Sequence, residues 1–133
     1  MTAKRKQSLE LIATVLLVNI VSLTLGALRA VDSGPAREIT VVARGMAFYL
    51  EGNPIPNPLL EFEPAERIAI TFINQERGIQ HDLRFPALNL GTGLLDGGGS
   101  SERLIFRVPA ERGDSRYTCS IHAIMMNGRV SIR

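Results

Sequence analysis

Apolar and polar residues alternate in short runs from residue 38 to the end of the chain, which is the period of a β-strand. In one run Ile68, Ile70 and Phe72 fall on a single face. Glycine and proline separate the runs, as is typical of an antiparallel sandwich or barrel. The predicted strands are EITVVAR (38–44), RIAITFIN (67–74), RLIFRVP (103–109), SRYTC (115–119) and GRVSIR (128–133).

Two segments between these runs do not fit a regular element. Residues 51–64, EGNPIPNPLLEFEP, contain four prolines, which exclude a helix and favour loop and edge backbone. Residues 91–102, GTGLLDGGGSSE, contain five glycines and predict a flexible loop. The chain from residue 38 to 133 therefore predicts one all-β domain with a modest core.

The N-terminal segment predicts a membrane anchor. A cationic stretch at residues 4–6, KRK, precedes an apolar run from Leu11 to Leu28. This run is about 27 Å long as a helix, enough for a bilayer core, and the cations should stay cytoplasmic. A cleaved signal peptide is the alternative, although Leu28 makes a poor site for cleavage after Ala30. We expect an anchor at 1–30, a linker at 31–37 and a domain at 38–133 on the periplasmic or extracytoplasmic side.

Charge and cysteine content argue against nucleic-acid binding and exclude an intramolecular disulfide. Residues 1–37 hold five basic and two acidic residues, whereas residues 38–133 hold ten arginines and eleven acids. The predicted domain thus lacks the basic excess of a nucleic-acid binder. The single cysteine, Cys119, cannot form an intramolecular disulfide, and outside the cytoplasm its thiol is exposed to oxidation unless it is buried or ligated.

The chemistry of the chain concentrates near the C-terminus. The stretch YTCSIHAIMMNGRVSIR contains Cys119, His122, Met125 and Met126, and the other histidine, His81, follows the strand at 67–74. Two imidazoles, a thiolate and a weak axial thioether are the ligands of an electron-transfer copper site. Zinc fits less well because structural zinc sites normally use four Cys or His ligands. A Cys/His nucleophile pair lacks an evident third orienting group.

These residues resemble the motifs of the cupredoxins, the small blue copper proteins. The matching motifs are N-x6-HD and Y-x-C-x2-H-x3-M-x-G, formed by Asn74, His81, Asp82, Tyr117, Cys119, His122, Met126 and Gly128. The resemblance implies a Greek-key β-sandwich that binds one type-1 copper ion. It also implies that His81, Cys119 and His122 are equatorial ligands and that Met126 is axial, with Met125 as the alternative.

The resemblance extends to residues around the predicted ligands. Asp82 stands where the family often has asparagine, which links the two ligand loops through hydrogen bonds. Asn74 and Ser120 are expected to support the ligands in the same way. In this family the C-terminal histidine reaches the surface within an apolar patch, which implies a partner-docking face at Ala123, Ile124 and Met125.

The expected function is single-electron transfer between redox proteins, without a small-molecule substrate or catalytic turnover. The expected partner is a cytochrome or a membrane respiratory or photosynthetic complex, of which the chain could be a subunit. One alternative is a structural subunit of a membrane complex whose copper site does not function. A copper-delivery protein is another, but such sites are usually more exposed and richer in Met or His.

Overall fold

The computed structural model describes residues 34–133, and residues Ala36–Arg133 form a compact unit. The predicted anchor and residues 31–33 of the predicted linker lie outside the described residues. Within 34–133 there is no helix long and apolar enough to cross a bilayer. The strands are β1 Arg37–Arg44, β2 Ala47–Leu50, β3 Leu60–Phe62, β4 Arg67–Asn74, β5 Arg84–Phe85, β6 Leu90–Gly91, β7 Ser100–Arg107, β8 Gly113–Thr118 and β9 Asn127–Ile132, with a 3₁₀ turn at Pro86–Leu88.

The strands form two sheets, which confirms the all-β prediction. Four strands lie in the order β2-β1-β4-β7 and five in the order β3-β9-β8-β5-β6. Gly45 and Met46 join β1 to β2 in a two-residue turn, both with positive φ, at 55° and 57°. This conformation matches the right-handed twist of the hairpin. The Met46 amide of this turn donates to Glu76 Oε2 at 2.9 Å.

The core lies between the sheets. The alternating residues Ile68, Ile70 and Phe72 of β4 are fully buried, as their period predicts. The Tyr117 ring of β8 meets the Phe48 ring of β2 edge to face, with 5.4 Å between centroids. Such pairs contribute about 0.5–1.5 kcal/mol beyond burial. The Tyr117 hydroxyl donates to the Pro58 carbonyl at 2.6 Å and so anchors the Pro-rich segment.

The prediction of an antiparallel sandwich is wrong at two strand pairs. Strands β1 and β4 are parallel, and so are β3 and β9. Long connections separate the members of both pairs, and alternation specifies which face of a strand is buried but not its neighbour or direction. The Pro-rich segment contains the short strand β3 at a sheet edge, as expected. The predicted Gly-rich loop ends earlier than expected, because β7 begins at Ser100.

Candidate metal centre

Three potential metal ligands converge at one end of the two sheets. His81 follows β4 and is held by paired backbone hydrogen bonds with Leu95, at 3.1 and 2.8 Å. Cys119 directly follows β8, and His122 lies in the loop between β8 and β9. The possible ligand atoms of these two histidines and the cysteine all lie within 4.8 Å of one another. Both Cys119 and His81 are fully buried, and His122 is partly exposed.

The spacing of the donor atoms fits one metal ion. The Cys119 sulfur lies 3.8 Å from His81 Nδ1 and 3.7 Å from His122 Nδ1, and the two nitrogens are 3.2 Å apart. In the plane of these three atoms, the point equidistant from them lies about 2.1 Å from each donor atom. Zinc, for comparison, lies about 2.0–2.1 Å from histidine nitrogen and about 2.3 Å from thiolate sulfur. The fold therefore brings these three residues together as a candidate metal site with three donors.

Burial distinguishes the two adjacent methionines. Met126 is fully buried and belongs to the same core cluster as Cys119. Met125 is 54% exposed, and its carbonyl accepts from Asn57 Nδ2 at 3.0 Å. Both methionine amides donate to the His122 carbonyl, at 3.1 Å for Met125 and 2.9 Å for Met126. The turn therefore directs Met126 inward, which supports its prediction as the axial ligand over Met125.

Asp82 connects the two ligand loops, as the motif implied. It is fully buried, and its Oδ1 accepts from the Ser120 amide at 2.7 Å. Its Oδ2 accepts from the Ser120 hydroxyl at 2.7 Å and from Arg84 Nε at 2.8 Å. Burial opposes ionisation of Asp82, but these donors outweigh it and hold the pKa of the carboxyl below its usual value. The residues next to His81 and Cys119 are thus joined through one carboxylate.

Asn74 organises the loop that leads to His81. Its Nδ2 donates to the carbonyls of Ile79 and Leu95, at 2.8 and 2.9 Å. Its Oδ1 accepts from the Glu76 amide at 3.0 Å. The side chain is fully buried, so these bonds replace the water that it loses on folding.

Solved structures with this architecture are similar to the chain. Rusticyanin from Thiobacillus ferrooxidans matches with 21% identity and a TM-score of 0.58, covering 76% of this chain and 79% of its own. Auracyanin B matches with 21% identity and a TM-score of 0.60, over 77% and 92%. A reduced auracyanin from Roseiflexus castenholzii matches with 19% identity and a TM-score of 0.60, over 75% and 99%. No family model and no curated protein sequence matches.

The domain has the cupredoxin fold. The resemblance inferred from the N-x6-HD and Y-x-C-x2-H-x3-M-x-G motifs is therefore confirmed at the level of the fold. Rusticyanin is described as a copper protein. In the present domain, the residues that those motifs predicted as equatorial ligands are the ones that converge.

The environment of Cys119 favours the neutral thiol when no metal is bound. Burial raises the pKa of its thiol, and nearby backbone hydrogen bonds oppose this effect only in part. Without a metal, the thiol of Cys119 therefore stays protonated to a higher pH than an exposed cysteine. A coordinated metal reverses this preference, because a coordinating thiol is deprotonated outright.

The surface beside His122 is apolar. Ile124 is 96% exposed, and Met125 and Ile121 are each about half exposed. Ala123 is also exposed. The predicted docking residues Ala123, Ile124 and Met125 thus all lie at the surface of the domain, together with Ile121, which was not predicted.

Glu76, which was not among the predicted site residues, contacts the predicted ligand His81 directly. Its Oε2 accepts from the Met46 amide at 2.9 Å and lies 2.9 Å from His81 Nε2. Burial opposes ionisation of Glu76, but these hydrogen bonds outweigh it and lower the pKa of the carboxyl. Metal-binding histidines usually donate their second nitrogen to an acceptor, but the sequence does not show which of its acidic residues approaches His81.

Proposed function

We propose that this chain is a membrane-anchored, extracytoplasmic copper protein that transfers single electrons between redox proteins. The observation that carries the proposal is the convergence of the Cys119 sulfur with Nδ1 of His81 and His122 in a site of metal-ion size. Thiolate and imidazole suit copper, and a buried Met126 completes the ligand types of an electron-transfer site.

Copper bound here would supply a one-electron couple, Cu(II)/Cu(I). The chain's contribution is to keep the ligands in place in both oxidation states. Asp82 and Ser120 fix the Cys119 loop, and the Leu95 backbone fixes His81. Ligands held in this way change position little when the charge changes. The protein therefore serves as a carrier rather than an enzyme.

The surface around His122 supports a route for electrons to and from partner proteins. His122 is the partly exposed member of the donor set, and Ile121, Ile124 and Met125 are exposed near it in sequence. A small apolar patch suits the weak, short-lived contacts of redox partners, which bury less area than stable complexes.

The proposed membrane location comes from residues 1–30 of the sequence. Anchoring would concentrate the domain at the bilayer surface, where respiratory or photosynthetic complexes exchange electrons. The chain would act there either as a carrier or as a fixed subunit of such a complex.

Electron exchange with a reduced cytochrome tests this function. The copper-loaded full chain in detergent should oxidise one equivalent of reduced cytochrome per bound copper, followed by stopped-flow absorbance. Ile124→Asp should slow this reaction without changing the copper spectrum. Ile105→Asp is the matched control, because Ile105 is also an exposed isoleucine, at 51%, but lies on β7. A folded chain that binds no copper would contradict the proposal and favour a structural subunit.

A further inference from the structure

We propose that Glu76 is a positioning residue for the copper site: its carboxylate fixes the ring of His81 and lowers the reduction potential of bound copper. The effect on potential rests on the function proposed above. The contact between the two side chains does not, because it is present in the fold itself.

The hydrogen-bond pattern around Glu76 sets the orientation of the His81 ring. Oε2 of Glu76 accepts from the Met46 amide, which can only donate. The same oxygen lies 2.9 Å from His81 Nε2. The proton of the His81 ring is therefore on Nε2, which donates a hydrogen bond to the carboxylate. This leaves the Nδ1 lone pair of His81 free on the side that faces the Cys119 sulfur and His122 Nδ1, at 3.8 and 3.2 Å.

The Glu76 carboxylate is itself held by the surrounding loops. Asn74 accepts from the Glu76 amide at 3.0 Å. Gly97 packs against the Glu76 backbone so closely that an added Cβ would lie 1.6 Å from the Glu76 carbonyl oxygen. Met46, which donates to the side chain, has a φ of 57°, a conformation uncommon for a residue other than glycine. Asn74 and Gly97 thus hold the Glu76 backbone, and Met46 holds its carboxylate beside the ring of a candidate ligand.

The charge of Glu76 should favour Cu(II) over Cu(I). A carboxylate attracts the doubly charged ion more strongly than the singly charged one, and donation from Nε2 makes the imidazole a more basic ligand. The carboxylate of Asp82 forms an ion pair with Arg84, whereas Glu76 Oε2 contacts the backbone amide of Met46 and the imidazole of His81. The Glu76 side chain is only 17% exposed, which limits screening by water.

Glu76→Gln tests the charge while retaining an oxygen that can accept from Met46 and His81. Loss of such outer partners typically changes metal affinity about 10–100-fold. We expect Cu(II) binding to weaken about tenfold relative to Cu(I) binding, which raises the potential by about 59 mV for one electron. The measurement is a spectroelectrochemical titration of the copper-loaded full chain in detergent.

Glu66→Gln is the matched control. Its side chain is 18% exposed and also accepts hydrogen bonds, but it lies at the opposite end of β4, next to Arg67. The control should leave the potential unchanged. Equal potentials in the Glu76→Gln and Glu66→Gln variants would overturn the proposed effect of the charge.

A second measurement tests the contact without copper or substitution. In the metal-free wild-type chain, ¹⁵N NMR should show the His81 proton on Nε2, and a proton on Nδ1 instead would overturn the positioning role. If the wild type binds no copper, the proposed function fails together with the effect on potential. The His81 tautomer then still decides whether Glu76 positions the ring.

Discussion

Substitution of Asp82 tests whether a single carboxylate holds the two ligand loops together. Asp82→Asn keeps Oδ1 as the acceptor for the Ser120 amide but places an NH₂ group where Oδ2 accepted. The Ser120 hydroxyl can rotate to accept from this group, whereas Arg84 Nε would then face another donor. Asp82→Asn therefore loses the hydrogen bond from Arg84 Nε, and its hydrogen bonds with Ser120 no longer involve a charged group.

The expected loss of unfolding free energy follows from the number and charge of these hydrogen bonds. Hydrogen bonds to a charged group contribute about 1.5–3 kcal/mol and neutral ones about 0.5–1.5 kcal/mol. The Arg84 side chain is 44% exposed, so water screens its pair with Asp82 and replaces part of the lost bond. We expect Asp82→Asn to lower the free energy of unfolding by about 1–2 kcal/mol, and Asp82→Ala, which removes every acceptor, by about 3 kcal/mol.

The assay is urea unfolding of the metal-free chain in detergent, followed by circular dichroism. If Asp82→Asn and Asp82→Ala lower the free energy of unfolding equally, the charge of Asp82, rather than the geometry of its hydrogen bonds, stabilises this region. Changes below about 0.5 kcal/mol in both variants, as is usual for surface substitutions, would refute the conclusion that Asp82 links the loops.

Two further predictions concern the axial ligand and the far end of β4. Met126→Leu should alter the absorption and potential of bound copper while costing less than about 1.5 kcal/mol of stability, because the volume is nearly conserved. The exposed Met125→Leu should change neither, and the reverse result would make Met125 the axial ligand. Hydrogen bonds from Arg37 and the Glu63 amide outweigh burial and lower the pKa of Glu66. The stability that Glu66 adds is therefore present above its unfolded pKa of about 4.3 and should be lost as the pH falls through its lower folded value. The stability difference between the wild type and Glu66→Gln should vanish in acid, and a constant difference in urea unfolding from pH 7 to pH 2 would contradict this assignment.

The strands that could be predicted are those with several alternating apolar residues. The eight-residue strand β4 was predicted with its bounds because Ile68, Ile70 and Phe72 mark its inner face. The strands β5 and β6 have two residues each, too few to show a period. The parallel pairs were missed because pairing of distant strands depends on contacts across the whole sandwich.

The candidate site was predictable where residue chemistry is distinctive. Cys119, His81 and His122 are the only cysteine and histidines of the chain, so their common role followed from ligand chemistry. Glu76 was missed because it is one of many acidic residues. Its role depends on the close approach of the Gly97 and Met46 loops, which no local pattern in the sequence reveals.

Addition of Cu(II) to the metal-free chain shows whether His81, Cys119 and His122 bind copper. We expect one copper per chain and an intense visible absorption from charge transfer between the Cys119 thiolate and Cu(II), which bleaches on reduction and is lost in Cys119→Ser. A folded wild-type chain that stays colourless with excess Cu(II), or a Cys119→Ser variant with the same absorption, would contradict it.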